Sequence, residues 1–410
     1  MKRIIILGDG MADEPCAALS GKTPIEAADT PAMDRLAVMG RSGLLSTVPD
    51  GYTPGSEIAH LSLLGYDLPE VFEGRGSLEA ASMGIDIEPD EMAMRCNLIC
   101  IDDEGKIKNH SAGHISTEEA DELIKALNEK LGDGKARFYT GVSYRHLLKI
   151  KNGDKRVSCT PPHDVPGTPA KDVMVSADCE EAEETAKYLN QLILKSQDIL
   201  SKHPVNFKRI SEGKDPANSI WPWSAGYKPA MKTLSQQYGI GKGNVISAVD
   251  LINGIGVYAG LDPIHVEGAT GLYDTNYEGK AKAALNALRG DSEFVFLHVE
   301  ASDEAGHEGD LNLKIKTIEA LDKRVIAPIL EALEKSGEDF SIAVLPDHPT
   351  PVALRTHTAS PVPFLIYTKG MTPDRVSSYS ERSAAEGGYG FMRGDEFIKE
   401  FFKAPSNKKC

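Results

Sequence analysis

Short apolar runs separated by amphipathic stretches organise most of this chain. Residues 3–7 (Arg-Ile-Ile-Ile-Leu) are continuously apolar after the first position, the pattern of a strand buried on both faces. The same character returns at Val245–Val249, Glu293–Val299, Phe340–Leu345 and Val362–Tyr367. Helical periodicity falls at Thr30–Met39, Ser56–Leu64, Gly279–Leu288 and over the long stretch Leu311–Lys335. Strands alternating with helices predict an α/β fold, a mostly parallel sheet flanked by helices on both faces. Such sheets place ligands at the carboxyl ends of their strands.

The middle of the chain has another texture. An apolar stretch at 92–101 is followed by an acidic helix at 117–131, a strand at Arg145–Ile150, a polar turn at Lys151–Lys155 and a helix at 180–200. A Pro/Trp-rich segment at 216–231 closes it. This predicts an α+β cap of residues 89–235 inserted into a discontinuous core of 1–88 and 236–410. The tail from Ala404 reads as frayed.

Composition narrows the partners. At 410 residues the chain exceeds one ordinary core, and 41% hydrophobic with 26% charged residues is a globular balance. A formal charge of −16 argues against nucleic acid or an anionic membrane surface. The opening residues are too few for a signal peptide, and no apolar run reaches the ~18–20 residues of a span. The six cysteines (16, 96, 100, 159, 179 and 410) lack zinc-finger spacing, so free thiols in a reducing cytoplasm are expected.

The chemistry gathers at strand ends. Asp9 follows the first apolar run, Asp303-x-x-x-His307 follows another, and Asp347-His348 follows a third, with His357 nearby. At i, i+4 spacing Asp303 and His307 share one helix face, a usual way to offer two ligands to one ion. Ser56, after Pro54-Gly55 and before a helical run, is placed at a helix N-terminus, where amide N–H groups favour a phosphate. Taken singly, Ser56 reads as a helix cap, Asp9 and Asp347-His348-Pro349 as turns, and Asp303 with His307 as helix decoration. Together the seven are what two close divalent cations and a nucleophilic serine require, which points to phosphoryl transfer. Carboxylate and imidazole ligands without cysteine fit Mn²⁺ first, with Zn²⁺, Mg²⁺ or Co²⁺ tolerated. Ser20-Gly21-Lys22-Thr23 ends like a P-loop, but Cys16 stands where its first glycine belongs. Gly254-x-Gly256-x-x-x-Gly260 misses the dinucleotide spacing.

These residues resemble the cofactor-independent phosphoglycerate mutases of the archaeal type, in the alkaline phosphatase superfamily. The likeness is carried by Gly8-Asp9-Gly10-Met11-Ala12-Asp13, Lys22-Thr23-Pro24, Thr30-Pro31 with Met33-Asp34, Pro54-Gly55-Ser56 and Gly74-Arg75-Gly76-Ser77-Leu78-Glu79-Ala80. It continues through His298-Val299-Glu300, Asp303-Glu304-Ala305-Gly306-His307, Leu345-Pro346-Asp347-His348 and His357-Thr358. The resemblance implies an alkaline-phosphatase-like core. It implies one metal on Asp303, His307 and His357, and another on Asp9, Ser56, Asp347 and His348. It also implies that Ser56 carries phosphate between the hydroxyls of 2- and 3-phosphoglycerate, independently of 2,3-bisphosphoglycerate.

The chain departs from this pattern in the cap. His114 stands where an arginine is usual, and Asn218–Gly226 lacks another. A histidine is a weaker, pH-dependent anion ligand than a bidentate arginine. Arg75, His110, His114, Arg145 and His163 remain as candidate substrate contacts, and Trp221 and Trp223 suggest a partly apolar surface. The departures also resemble a subgroup proposed to act as homoserine kinases. A metal-dependent phosphatase and a non-enzymatic metal-binding protein are the other readings. The expected partner is a small phosphorylated metabolite; the oligomeric state stays open.

Overall fold

The computed structural model describes residues 1–403; the tail expected to fray from Ala404, and Cys410 within it, lie outside them. The chain forms two compact units, Met1–Phe72 with the residues from Ala230 onward, and Glu73–Pro229. Sequence texture places the boundaries at 88/89 and 235/236, whereas the chain divides at 72/73 and 229/230. The difference at the first boundary is the Arg75–Ser82 helix, which packs on the Glu91–Ile101 strand and so belongs to the second unit.

The first unit is built on an eight-stranded sheet. In spatial order its strands are Asp262–Pro263, Gly243–Ile246, Phe294–Val299, Lys2–Gly8, Phe340–Leu345, Val362–Thr368, Arg41–Ser46 and Gly390–Arg393. Lys2–Gly8 runs parallel to both neighbours, with Leu7 opposite His298 on one side and Leu345 on the other. Val362–Thr368 is the antiparallel exception, so the sheet is mostly parallel, as the apolar runs predict. Ile4, Ile5, Ile6 and Leu7 are fully buried, which is why their run does not alternate. Three adjacent parallel strands therefore end level, just before Asp9, Glu300 and Asp347.

The stretch Leu311–Lys335 is not one helix. A helix at Leu311–Leu321 passes through a π-helical turn, Asp322–Ile326, into a second helix, Ala327–Ser336. Pro328 lacks an N–H, and its ring crowds the carbonyl four residues back, so regular α-geometry fails there. The buried Asp322 carboxylate accepts bonds from Ala32 N (3.1 Å) and Met33 N (2.7 Å), capping the Pro31–Met39 helix.

The second unit has its own core. The Glu91–Ile101 strand pairs with Arg145–Lys151 on one side and with Ser219–Gly226 on the other, and helices Thr117–Leu131 and Glu183–Leu200 contribute to the same apolar cluster. The Pro/Trp-rich segment is thus largely a strand. Pro222 is tolerated because this strand lies at the sheet edge, where a missing N–H costs no ladder bond. Trp221 and Trp223 are buried, with their indole N–H groups bonded to Thr160 O and Asn97 Oδ1. They pack the core and do not form the partly apolar surface expected of them. Among the described residues no helix is long and apolar enough to cross a membrane.

Candidate active site

Two trios of side chains converge beyond the carboxyl ends of the central strands. In each, the ligand atoms lie within 4.8 Å of one another: Asp9, Asp347 and His348 form one, Asp303, His307 and His357 the other.

The first trio is wholly buried. One Asp347 oxygen, Oδ1, accepts from Gly10 N (3.0 Å) and His348 N (2.8 Å). The other has no hydrogen-bond partner; it lies 3.3 Å from His348 Nε2 and 3.5 Å from His60 Nδ1. Asp9 repeats this division. Its Oδ2 faces His298 Nε2 at 2.9 Å, while Oδ1 is unpartnered, 3.6 Å from His348 Nε2. Burial, together with the charges of Asp347, Asp303 and Glu300, pushes the Asp9 carboxyl well above the usual range. Two buried oxygens without donors beside crowded acids are what a cation would satisfy. Gly10, at φ 59°, makes the turn: a Cβ there would meet Asp303 Oδ1 at 2.5 Å and Thr350 Oγ1 at 2.6 Å.

The second trio is partly exposed. His307 Nε2 and His357 Nε2 face each other at 2.9 Å, and lie 3.3 Å and 3.4 Å from the two Asp303 oxygens. His307 Nδ1 donates to Arg355 O (3.1 Å) and His357 Nδ1 to Pro54 O (3.4 Å), so both rings can turn a bare Nε2 inward. Burial opposes ionisation of Asp303, but the two imidazoles outweigh it and hold the carboxyl well below its ordinary value. In return the Asp303 hydrogen bond raises His307 to about 9. The trio attracts positive charge, which a proton or a metal ion can supply. The donor chemistry of both trios fits divalent cations.

Ser56 is the first residue of the Ser56–Leu63 helix; Gly55 takes the cap position. Its Oγ lies 3.3 Å from His348 Nε2, beside the buried trio. His60, one helical turn on, donates from Nδ1 to Ser56 O at 2.7 Å and is kept neutral by burial. His298 donates to Asp9 and accepts from Ser247 Oγ (3.0 Å). Sequence reading gives neither histidine a role, although the i, i+4 spacing of Ser56 and His60 is a signal.

The five cap candidates all lie in the second unit. His110 packs edge-on against His163 (6.0 Å between ring centres) and Tyr144 (5.7 Å), and His163 against Trp223 (5.3 Å). His114 also approaches Tyr144 (6.4 Å), and the Arg145 guanidinium lies 5.8 Å from the Tyr144 ring. A residue the sequence reading passed over completes this group. Arg95 stacks on Trp223 at 4.4 Å and pairs with Glu79 at 3.2 Å. Burial lowers its guanidinium and Glu79 raises it, while nearby Arg75 and Arg145 lower it further. Its signal was an arginine inside an otherwise apolar strand.

A mostly parallel sheet that brings a helix-N-terminal serine to two carboxylate–imidazole trios defines an α/β enzyme core. Comparison with known proteins carries the assignment further. The family model described as 2,3-bisphosphoglycerate-independent phosphoglycerate mutase matches residues 37–206. A protein of that name from Methanosarcina acetivorans is 50% identical over 400 residues, covering 97% of this chain and 98% of its own. Among solved structures, the PH0037 protein from Pyrococcus horikoshii aligns with a TM-score of 0.81 at 31% identity, over 98% of this chain and 97% of that one. The cofactor-independent phosphoglycerate mutase from Thermoplasma acidophilum aligns at 0.68 and 28% identity, over 96% of each chain. The chain belongs to the 2,3-bisphosphoglycerate-independent phosphoglycerate mutase family.

Proposed function

We propose that this chain interconverts 2- and 3-phosphoglycerate by passing the phosphoryl group through Ser56. The observation that carries this reading is the Ser56 hydroxyl at a helix N-terminus, 3.3 Å from His348 Nε2 and beside two unsatisfied buried carboxylate oxygens. Family membership supports the reaction. Asp303, His307 and His357 would hold one divalent ion, and Asp9, Asp347 and His348 with Ser56 the other, Mn²⁺ being the leading choice. When bound, such ions lower the pKa of a hydroxyl and neutralise phosphate charge.

Ser56 Oγ gives up its proton and attacks phosphorus, the bond from phosphorus to the substrate oxygen breaks, and that oxygen takes a proton. Glycerate then reorients; its other hydroxyl gives up a proton and attacks the phosphoserine, the bond from phosphorus to Oγ breaks, and Oγ takes a proton back. The N-terminus of the Ser56–Leu63 helix, with its amide N–H groups and the positive end of its dipole, favours the phosphoryl oxygens. In the second unit Arg75, Arg145 and His114 are the candidate contacts for the substrate's charged groups. His110, whose imidazole burial and the neighbouring His163 lower from its ordinary value, is the candidate for proton exchange. The substrate is a small phosphorylated metabolite, and we assign the protein to the cytoplasm, in keeping with its free Cys16, Cys96, Cys100, Cys159 and Cys179.

The test is an assay with Mn²⁺ and no 2,3-bisphosphoglycerate, run beside homoserine with a nucleotide donor. Interconversion of the two phosphoglycerates is expected. Phosphohomoserine formation without mutase activity would overturn the substrate, and full turnover by Ser56→Ala would overturn the intermediate.

A further inference from the structure

Thr350 sits between the trios and touches both. It is fully buried, with Oγ1 2.5 Å from Asp303 Oδ1 and 3.3 Å from His348 Nδ1. We propose that this hydroxyl is a positioning group that fixes the tautomer of His348 and couples the two candidate metal sites. The inference rests on the two-ion reading above.

A hydroxyl has one proton to give, and an ionised carboxylate can only accept. The Thr350 proton therefore goes to Asp303, and a lone pair remains for His348. Nδ1 of His348 must then carry the ring proton, which leaves Nε2 bare. That nitrogen faces Ser56 Oγ at 3.3 Å, Asp347 Oδ2 at 3.3 Å and Asp9 Oδ1 at 3.6 Å. One hydroxyl thus directs a lone pair into the buried trio while it aligns the carboxylate of the other.

The surroundings hold Thr350 in this pose. Its carbonyl accepts from Lys314 Nζ at 2.7 Å. The same buried ammonium binds Ala12 O (3.1 Å) and Asp13 Oδ2 (2.8 Å), clamping the loops that follow two neighbouring strands. Two glycines leave the room: a Cβ on Gly306 would meet Thr350 O at 2.4 Å, and one on Gly10 would meet Thr350 Oγ1 at 2.6 Å. Outer partners of this kind set ligand orientation and basicity, and their loss typically weakens ion binding about 10–100-fold.

Thr350→Val keeps the shape and removes the hydroxyl; Thr350→Ser keeps the hydroxyl. Mn²⁺ is titrated calorimetrically into the metal-stripped full chain, with the melting temperature of the stripped protein measured alongside. The expected result is binding weakened about 10–100-fold at both sites in the valine variant, near-wild-type binding in the serine variant, and little change in melting. Wild-type affinity at both sites in a folded Thr350→Val protein overturns the proposal. So does a purely structural outcome, in which melting falls and ion affinity does not. Failure of the unsubstituted protein to bind Mn²⁺ would overturn the two-ion reading itself. Histidine ¹⁵N NMR of the unsubstituted protein, with His348 assigned by its loss in His348→Gln, gives a second check. A protonated Nδ1 is expected, and a protonated Nε2 overturns the tautomer assignment.

Discussion

The two trios draw on the same carboxylates and imidazoles but differ in depth and in charge. Asp9, Asp347 and His348 are at most 2% exposed and bring two carboxylates to one imidazole. In the other trio the side chains of His307 and His357 are 36% and 22% exposed, and one carboxylate faces two imidazoles. The buried trio has no donor for one oxygen of each acid, so its own side chains leave it unsatisfied. The half-exposed trio meets its charge internally, through a protonated His307. Depth would therefore set how much each candidate site needs an ion: the buried one to offset desolvated negative charge, the exposed one by exchange against a proton.

The most severe test removes what lies beside the buried trio and spares both. Ser56→Ala should cut turnover by about a thousandfold or more while calorimetry still finds two Mn²⁺ equivalents. Loss of an equivalent would make the serine an indispensable ligand of the buried site. Next, His307→Ala should weaken one of the two binding steps about 10–100-fold and leave the other near its original value. Equal weakening of both steps would erase the distinction between the trios.

Proton competition gives a sharper contrast. A histidine must be neutral to offer its lone pair, and His307 is raised to about 9. Below that pH an incoming ion has to displace a proton. Affinity at the half-exposed site should therefore climb about tenfold per pH unit from pH 6 towards 9 and level off above it. A flat profile over that range would remove the proton from the account. The smallest effect expected is on stability. Gly10→Ala puts a side chain at positive φ between the trios and should cost about 1–3 kcal/mol, read by denaturant unfolding. An unchanged midpoint would mean the loop can relax away from Asp303 and Thr350.

The candidate ligands were legible because they follow strands that are buried on both faces. A run such as Ile4–Leu7 cannot be mistaken for a surface segment, and the acid just past it falls at the ligand-binding edge by topology alone. The groups behind the ligands were harder to see. His298 lies inside a strand, Thr350 in a proline-flanked turn and Lys314 in a helix, and nothing local separates them from ordinary residues. Their roles arise from partners hundreds of positions away or on another loop. Local patterns misled for local reasons: Trp221 and Trp223, read as a partly apolar surface, are buried in a strand at a sheet edge, and the helical period of 311–335 runs across a π turn. In the second unit, Arg95 showed only as a charged position inside a mostly apolar strand.

The order of strands in the sheet has a consequence for how the protein is made. Among the described residues Lys2–Gly8 pairs with two strands, Phe294–Val299 and Phe340–Leu345. At ribosomal speeds of about 5–20 residues per second, roughly 15–60 s separate synthesis of this strand from that of the first partner able to flank it. Through that interval its isoleucines have no native sheet to enter, and Asp9 has no complete binding site to join. High contact order makes such pairing slow even after release. Newly made chains should therefore depend on chaperones that cover this segment, and metal loading should mark completion of the chain rather than any stage of its growth.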